Sequence, residues 1–221
     1  MLKVIKNRVD HINIKSLCFF SGGVDAVSTM LSNLQYRPTL FTLWGTDVYF
    51  EQPEAWNIVK AKNMEVAKQF NLDFASVKTA FRYVLNEKLL TEHVAKTVHE
   101  NWWHGFQHGI ALIAHAAPYA YINNITIINI ASSYSVRDTE FNSCASYPTI
   151  DAMVNFCGCK IYHDGFEKSR TDKIREIYEY STRYNQAFSL RVCWQVITGE
   201  NCCVCEKCQR TIFGIWGVGG D

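Results

Sequence analysis

Short β-rich apolar runs alternate with stretches whose apolar residues recur at helical spacing, and this alternation most restricts the fold. The run at 17–20 ends at Gly22-Gly23 and is followed by Val24, Val27, Leu31 and Leu34 on one helical face, with Pro38 stopping the pattern. A second run covers 39–44, and Pro53 then opens a helix on which Ala55, Val59, Val66 and Phe70 share a face, ending near Asn71. Residues 73–77 read as a third strand. A stretch rich in Trp and His (Trp102, Trp103, His104, His108) leads into an apolar helix through Phe106, Ile110, Ile113 and Ala117, which Pro118 is expected to end. The Ile/Thr/Asn run at 125–130 has the composition of a strand buried on both faces, and 160–163 supplies a fifth strand. Residues 171–184 read as a helix, with Ser169 and Asp172 placed as a capping box. The prediction is the α/β class: a single doubly wound domain around a mostly parallel five-stranded sheet. Ligands of such sheets bind beyond the carboxyl ends of the strands near the switch point, which here gathers the glycine turn and the polar loop 132–147.

Composition supports one core and narrows the partners. The 221 residues are 48% hydrophobic and 19% charged, with 22 basic and 21 acidic side chains and a formal net charge of +1. That balance argues against disorder and against a broad nucleic-acid surface. No apolar run is long enough to span a membrane, and residues 1–13 are basic and polar without the apolar middle of a signal peptide. The expected compartment is the cytoplasm.

In a cytosolic chain with a full core, nine cysteines point to metal or thiol chemistry rather than a disulfide scaffold. Cys193, Cys202, Cys205 and Cys208 stand at Cys-x8-Cys-x2-Cys-x2-Cys spacing. A turn carrying Cys-x2-Cys holds two sulfurs at the separation one tetrahedral ion needs, and the other two complete a closed, structural set. Zn2+ is the expected ion, although an iron-sulfur cluster accepts the same thiolates. Cys203 breaks the spacing and reads as a spare; Cys144, Cys157 and Cys159 read as half-buried thiols, with Cys157-Gly-Cys159 as an alternative redox pair. The domain boundaries expected are 1–188 for the α/β domain and 189–221 for a metal-binding segment packed on it.

The string Ser21-Gly22-Gly23-Val24-Asp25-Ala26 is physically an anion cradle: glycines let amides approach an oxyanion, the following helix start adds partial positive charge, and Ser21 adds a hydroxyl. It resembles the Ser-Gly-Gly-x-Asp-Ser/Thr signature of the PP-loop ATP pyrophosphatases, which split ATP into AMP and pyrophosphate while adenylating a substrate. The Gly-x4-Gly-Lys-Ser/Thr spacing of γ-phosphate-transferring P-loops is absent from the chain. Ala26 departs from the signature by lacking its last hydroxyl, and Ser28 stands one turn on as a substitute. Taken with the four cysteines, the chain looks like a divergent member of the zinc-containing 7-cyano-7-deazaguanine synthase family, with the adenine nucleotide alpha hydrolase-like fold that implies.

The resemblance carries over residue by residue. It implies that Ser21, Gly22, Gly23, Val24, Asp25 and Ser28 bind the phosphates of ATP, with Asp25 helping to hold Mg2+. It also implies that the backbone of Leu43, Trp44 and Gly45 receives adenine and that Arg170 and Lys173 act with Asp25 in catalysis. Ser132, Ser133 and Arg137 are the residues expected to meet substrate, while Asp138 and Glu140 read as solvated loop charges. Asp47 is a candidate for ribose or metal, or a solvated loop aspartate. Trp44 reads as core in its side chain, and Trp102 and Trp103 as core or a docking patch. The activity implied is that of an ATP-dependent ligase or synthase adenylating a small carboxylate or amide, with a small-molecule substrate and at most a second copy of the chain as partner. Two alternatives stay open: a tRNA-thiolating PP-loop enzyme, which the net charge disfavours, and a catalytically altered nucleotide-binding domain, which Ala26 favours.

Overall fold

The computed structural model describes residues 14–97, 101–138, 144–156, 158–195 and 198–220. Five strands, β1 (Ser16–Phe19), β2 (Thr39–Trp44), β3 (Phe74–Lys78), β4 (Ile127–Ala131) and β5 (Lys160–Asp164), form one sheet in the order β3-β2-β1-β4-β5. Every neighbouring pair is parallel, so the expected mostly parallel sheet is parallel throughout. Each strand lies within two residues of the run that announced it.

Alternate residues of the strands feed opposite cores. Cys18, Phe20 and Leu40 meet Val24, Val27 and Met30 of α1 (Val24–Ser32), Val66 and Ala67 of α2 (Pro53–Gln69), and Ile174 and Ile177 of α7 (Arg170–Tyr184). Leu17, Phe41, Ile128 and Ile130 meet Ile113, Ala116 and Ala120 of α5 (His108–Asn123) on the other face. Both faces are therefore covered, as the apolar runs require.

Between β3 and α5 the chain forms the short helices α3 (Phe81–Val84) and α4 (Glu87–His93), then a π-helical turn over Trp103–Gln107. Within that stretch Trp102 stacks on Phe106 at 5.0 Å, and Trp103 lies under the Arg82 guanidinium at 4.4 Å. α6 (Pro148–Met153) packs beside β5, and α8 (Glu206–Gly217) follows the cysteines.

Pro118 does not end α5, which runs five residues further to a left-handed Asn124. A proline removes one ladder donor, but buried Ala116 and Ala120 on either side keep the helix on the sheet. The capping box on α7 forms as expected, Ser169 and Asp172 each accepting the other's backbone N–H. The chain after 188 is no loose appendage: Val192, Cys193, Cys205 and Cys208 belong to the same buried cluster as β1, α1 and α7.

Candidate functional site

Strands β1, β2 and β3 run outward to one side, and the chain then returns to the other side of β1 for β4 and β5. The switch point thus lies where β1 and β4 end, and the glycine turn follows β1 there. Gly22 has φ +79°, a conformation that favours glycine, and a Cβ on it would stand 3.0 Å from the Asn63 Oδ1. Gly23 caps α1, and its N–H points at the Ser21 hydroxyl at 3.4 Å. Asn63, 1% exposed, donates to the Phe20 carbonyl and the Thr42 hydroxyl, and so ties the ends of two strands beneath the turn.

Asp25, in the first turn of α1, accepts from Arg170 Nη1 at 3.0 Å on one carboxylate oxygen and from Lys173 Nζ at 3.2 Å on the other. Lys173 is 2% exposed and also donates to the Ser132 carbonyl at the end of β4. Arg170 also reaches the Thr211 hydroxyl on α8 at 3.1 Å. The three residues expected to act together are therefore brought together. Arg170 and Lys173 are not on the cleft wall; they stand behind Asp25 and hold its carboxylate.

A cleft of about 180 Å³ opens over the turn, with Ser21, Gly23, Val24, Asp25 and Leu43 on its wall together with Ser133. Ser28 is not among them: its hydroxyl donates to Glu176 at 2.7 Å, in the seam between α1 and α7. Trp44 stacks on Trp56 at 5.3 Å, a core role for its side chain. The Trp44 carbonyl and the Gly45 N–H already bond Thr79 and Val48 at 2.8 and 2.9 Å. Gly45 has φ +107°, and any Cβ there would lie 1.9 Å from the Thr79 carbonyl oxygen. The Ser132 hydroxyl turns to the Tyr134 carbonyl, and Arg137 is exposed away from the cleft. Asp138 accepts from the Ser135 N–H and hydroxyl, which hold its carboxyl below the usual range. Glu140 and Cys157 lie outside the described residues.

His108 and Asp47 also line the cleft. Burial pushes the His108 imidazole down to about 4, with the positive field of His104 adding to it and that of Asp47 opposing. Its Nδ1 lies 3.8 Å from the Cys144 sulfur, whose own pKa burial raises. The pair is a neutral thiol beside a neutral imidazole, the reverse of a reactive thiolate. An unfolded His108 takes up its proton near pH 6.5, whereas the folded one resists until about 4. Stability is therefore unaffected by this group above pH 6.5 and falls as pH drops from 6.5 towards 4. His108→Gln is expected to flatten the melting temperature over that window, removing a loss of up to about 3 kcal/mol. Equal slopes in wild type and variant would contradict the burial of this imidazole.

The sulfurs of Cys193, Cys202, Cys205 and Cys208 all lie within 4.8 Å of one another, with Cys193 to Cys205 and Cys202 to Cys208 at 3.9 Å. Four thiolates about 2.3 Å from a tetrahedral zinc are about 3.8 Å apart, so the set fits such an ion. The Cys205 N–H donates to the Cys202 sulfur at 3.2 Å, and N–H groups from Val204 and then Cys205 hold the Cys202 thiol below its usual range. Burial, with the Cys205 thiol adding to it, pushes Cys208 up to about 12. A cation is what allows so crowded a set to ionise together. Cys203 is exposed at φ +58°, outside the set.

Sequence reasoning missed Asn63, Arg191 and Lys207. Asn63 had a signal, a polar residue between Val59 and Val66 on an apolar helical face. Arg191 had a fainter one, a lone charge in the run Leu190-Arg191-Val192-Cys193. No helix among the described residues is long and apolar enough to cross a membrane. No protein-family model matches the chain, and a comparison with curated proteins gives no match.

Proposed function

We propose that the chain is an ATP-dependent ligase or synthase: an oxygen of a small carboxylate or amide attacks the α-phosphorus of ATP, pyrophosphate leaves, and the adenylated substrate then gives up AMP to a second nucleophile such as ammonia. The observation that carries this reading is the convergence at the switch point: the Gly22-Gly23 turn, the start of α1 and the Asp25 carboxylate stand beside the β4 end at Ser132 and Ser133. The likeness of residues 21–25 to the PP-loop signature and the four-cysteine set support it from the sequence side. On this reading the turn receives the β and γ phosphates, and the α-phosphorus faces a substrate on the β4 side. Amides at a helix start stabilise charge that grows on the leaving group, which favours cleavage between the α and β phosphates.

ATP with Mg2+ is the cosubstrate. Asp25 lies on the cleft wall where the ion would stand, and Arg170 and Lys173 keep its carboxylate oriented. The half-buried pair of neutral Cys144 thiol and His108 imidazole and the near-neutral net charge give the thiolation reading no support. Loss of the signature hydroxyl at Ala26, with Ser28 turned towards Glu176, instead favours slow turnover or a nucleotide-binding domain as the second reading.

The test is chromatography of ATP incubated with the full chain, Mg2+, ammonia and candidate deazaguanine carboxylic acids. AMP and pyrophosphate in equal amounts are expected. ADP as the sole enzyme-dependent product would refute the assignment, and binding of ATP without turnover would select the second reading.

A further inference from the structure

Arg170 and Lys173 are taken up by Asp25, and among the described residues the Arg and Lys residues that line the cleft are Arg191 and Lys207. Both belong to the cysteine-bearing segment. Arg191 is only 8% exposed, yet among the described residues no carboxylate pairs with it, and its buried Nε has no hydrogen-bond partner. Burying a guanidinium without a counter-charge is costly and is tolerated where an anion completes the site. The contrast with two other cations of the chain is marked: Lys168 is spent on Glu176 and Lys62 on Glu200.

The position of Arg191 is fixed by its backbone. Its N–H donates to the Gly22 carbonyl at 2.8 Å, and its Cβ lies 3.5 Å from where a Cβ on Gly22 would stand. Asn201 clamps the segment on both sides, accepting from the N–H groups of Val192 and Cys193 and donating to the Leu190 carbonyl. Lys207 sits one residue into α8, whose cap is Cys205.

We propose that Arg191, seconded by Lys207, is the phosphate-gripping residue of this cleft, and that its ligand is the pyrophosphate half of a nucleoside triphosphate. This rests on the adenylating reading for the nucleotide. A guanidinium offers two parallel N–H donors to one phosphate, and an ammonium adds a point charge that a second phosphate can share. A substrate carboxylate would need only one of them. The adjacency of Arg191 to Gly22 and Gly23 puts the pair where the turn's own amides take the same anion. The metal-binding segment then serves the site directly, by carrying its cations.

The experiment is calorimetric titration of the metal-loaded full chain with inorganic pyrophosphate and, separately, with ATP, for wild type, Arg191→Met, Arg191→Lys and Lys207→Met. Arg191→Met should weaken pyrophosphate binding at least a hundredfold, Lys207→Met about tenfold, and Arg191→Lys should fall between. Metal content should stay unchanged. Without ligand, Arg191→Met should melt no lower than wild type, because it removes an unpaired buried charge. Should that variant lose its metal or fold, Arg191→Lys and Lys207→Met still read the grip. Pyrophosphate binding by Arg191→Met within twofold of wild type, or no pyrophosphate binding by wild type, overturns the inference. AMP formation is scored separately: Arg191-dependent pyrophosphate binding without AMP formation counts against the adenylating reading alone, and AMP formation with an indifferent Arg191 counts against the inference alone.

Discussion

Cys205→Ser is expected to empty the metal site and to take the C-terminal segment with it. Structural zinc contributes on the order of 10 kcal/mol of folding free energy in small sites. Here Cys193, Cys205 and Cys208 are part of the buried cluster that packs β1, α1 and α7, with Cys202 against it, so the loss reaches the sheet. Wild type should carry about one tetrahedral ion per chain by metal analysis. The variant should carry almost none, with low soluble yield and a broadened or lost unfolding transition. Cys203→Ser is the control: its exposed side chain stands outside the set, and metal content should not change. A wild-type chain purified without chelator that holds no metal and keeps its fold would defeat this account of the cysteines.

The second large effect belongs to Asp25. From the sequence alone, Asp25→Asn weakens magnesium-dependent ATP binding and leaves stability nearly untouched. The structure adds a structural cost. Asp25, its side chain 16% exposed, is the counter-ion of Lys173 at 2% and Arg170 at 14%. An asparagine leaves two cations facing an amide and a carbonyl. Removing one partner of a buried ion pair costs about 3 to 5 kcal/mol. Urea denaturation should show a loss of that size together with weakened ATP binding. Weakened binding with an unchanged midpoint would mean that Asp25 meets magnesium and contributes little as a counter-ion.

The strands and long helices were legible because they are buried on the sheet and their apolar spacing reports that burial. Pro118 misled because the rule that proline stops helices concerns one hydrogen bond, whereas the packing of Ala116 and Ala120 acts on the whole element. The short helices α3, α4 and α6 carry too few turns to show a period. α8 was hidden because Cys205 and Cys208 were read as turn ligands, although they also place a helix cap and a first-turn residue. The clustering of the four cysteines was readable in full, because they are close in sequence and their spacing is distinctive.

The cleft was half readable. Ser21 to Asp25 form a contiguous string, but what surrounds them comes from distant segments. Arg170 and Lys173 do meet Asp25, while their place behind it depends on the Ser132 carbonyl and Thr211, which no spacing rule connects. Ser28 was assigned to the turn by its proximity in sequence, and the helix rotates its hydroxyl to Glu176. Arg191 is far from the turn in sequence and beside it in space, the arrangement a single sequence conceals best.

The hydrogen bond from Arg191 to Gly22 joins the glycine turn after β1 to the cysteine-bearing segment, far away along the chain. On a ribosome, the glycine turn emerges long before the residues that wall it. Until residues 191–207 have emerged, the turn has no far side, and a nascent or truncated chain presents a sheet without a finished cleft. On the proposed reading of the cysteines as a zinc site, metal delivery would set when the cleft closes, and a cell short of the ion would accumulate chains that are made but incomplete.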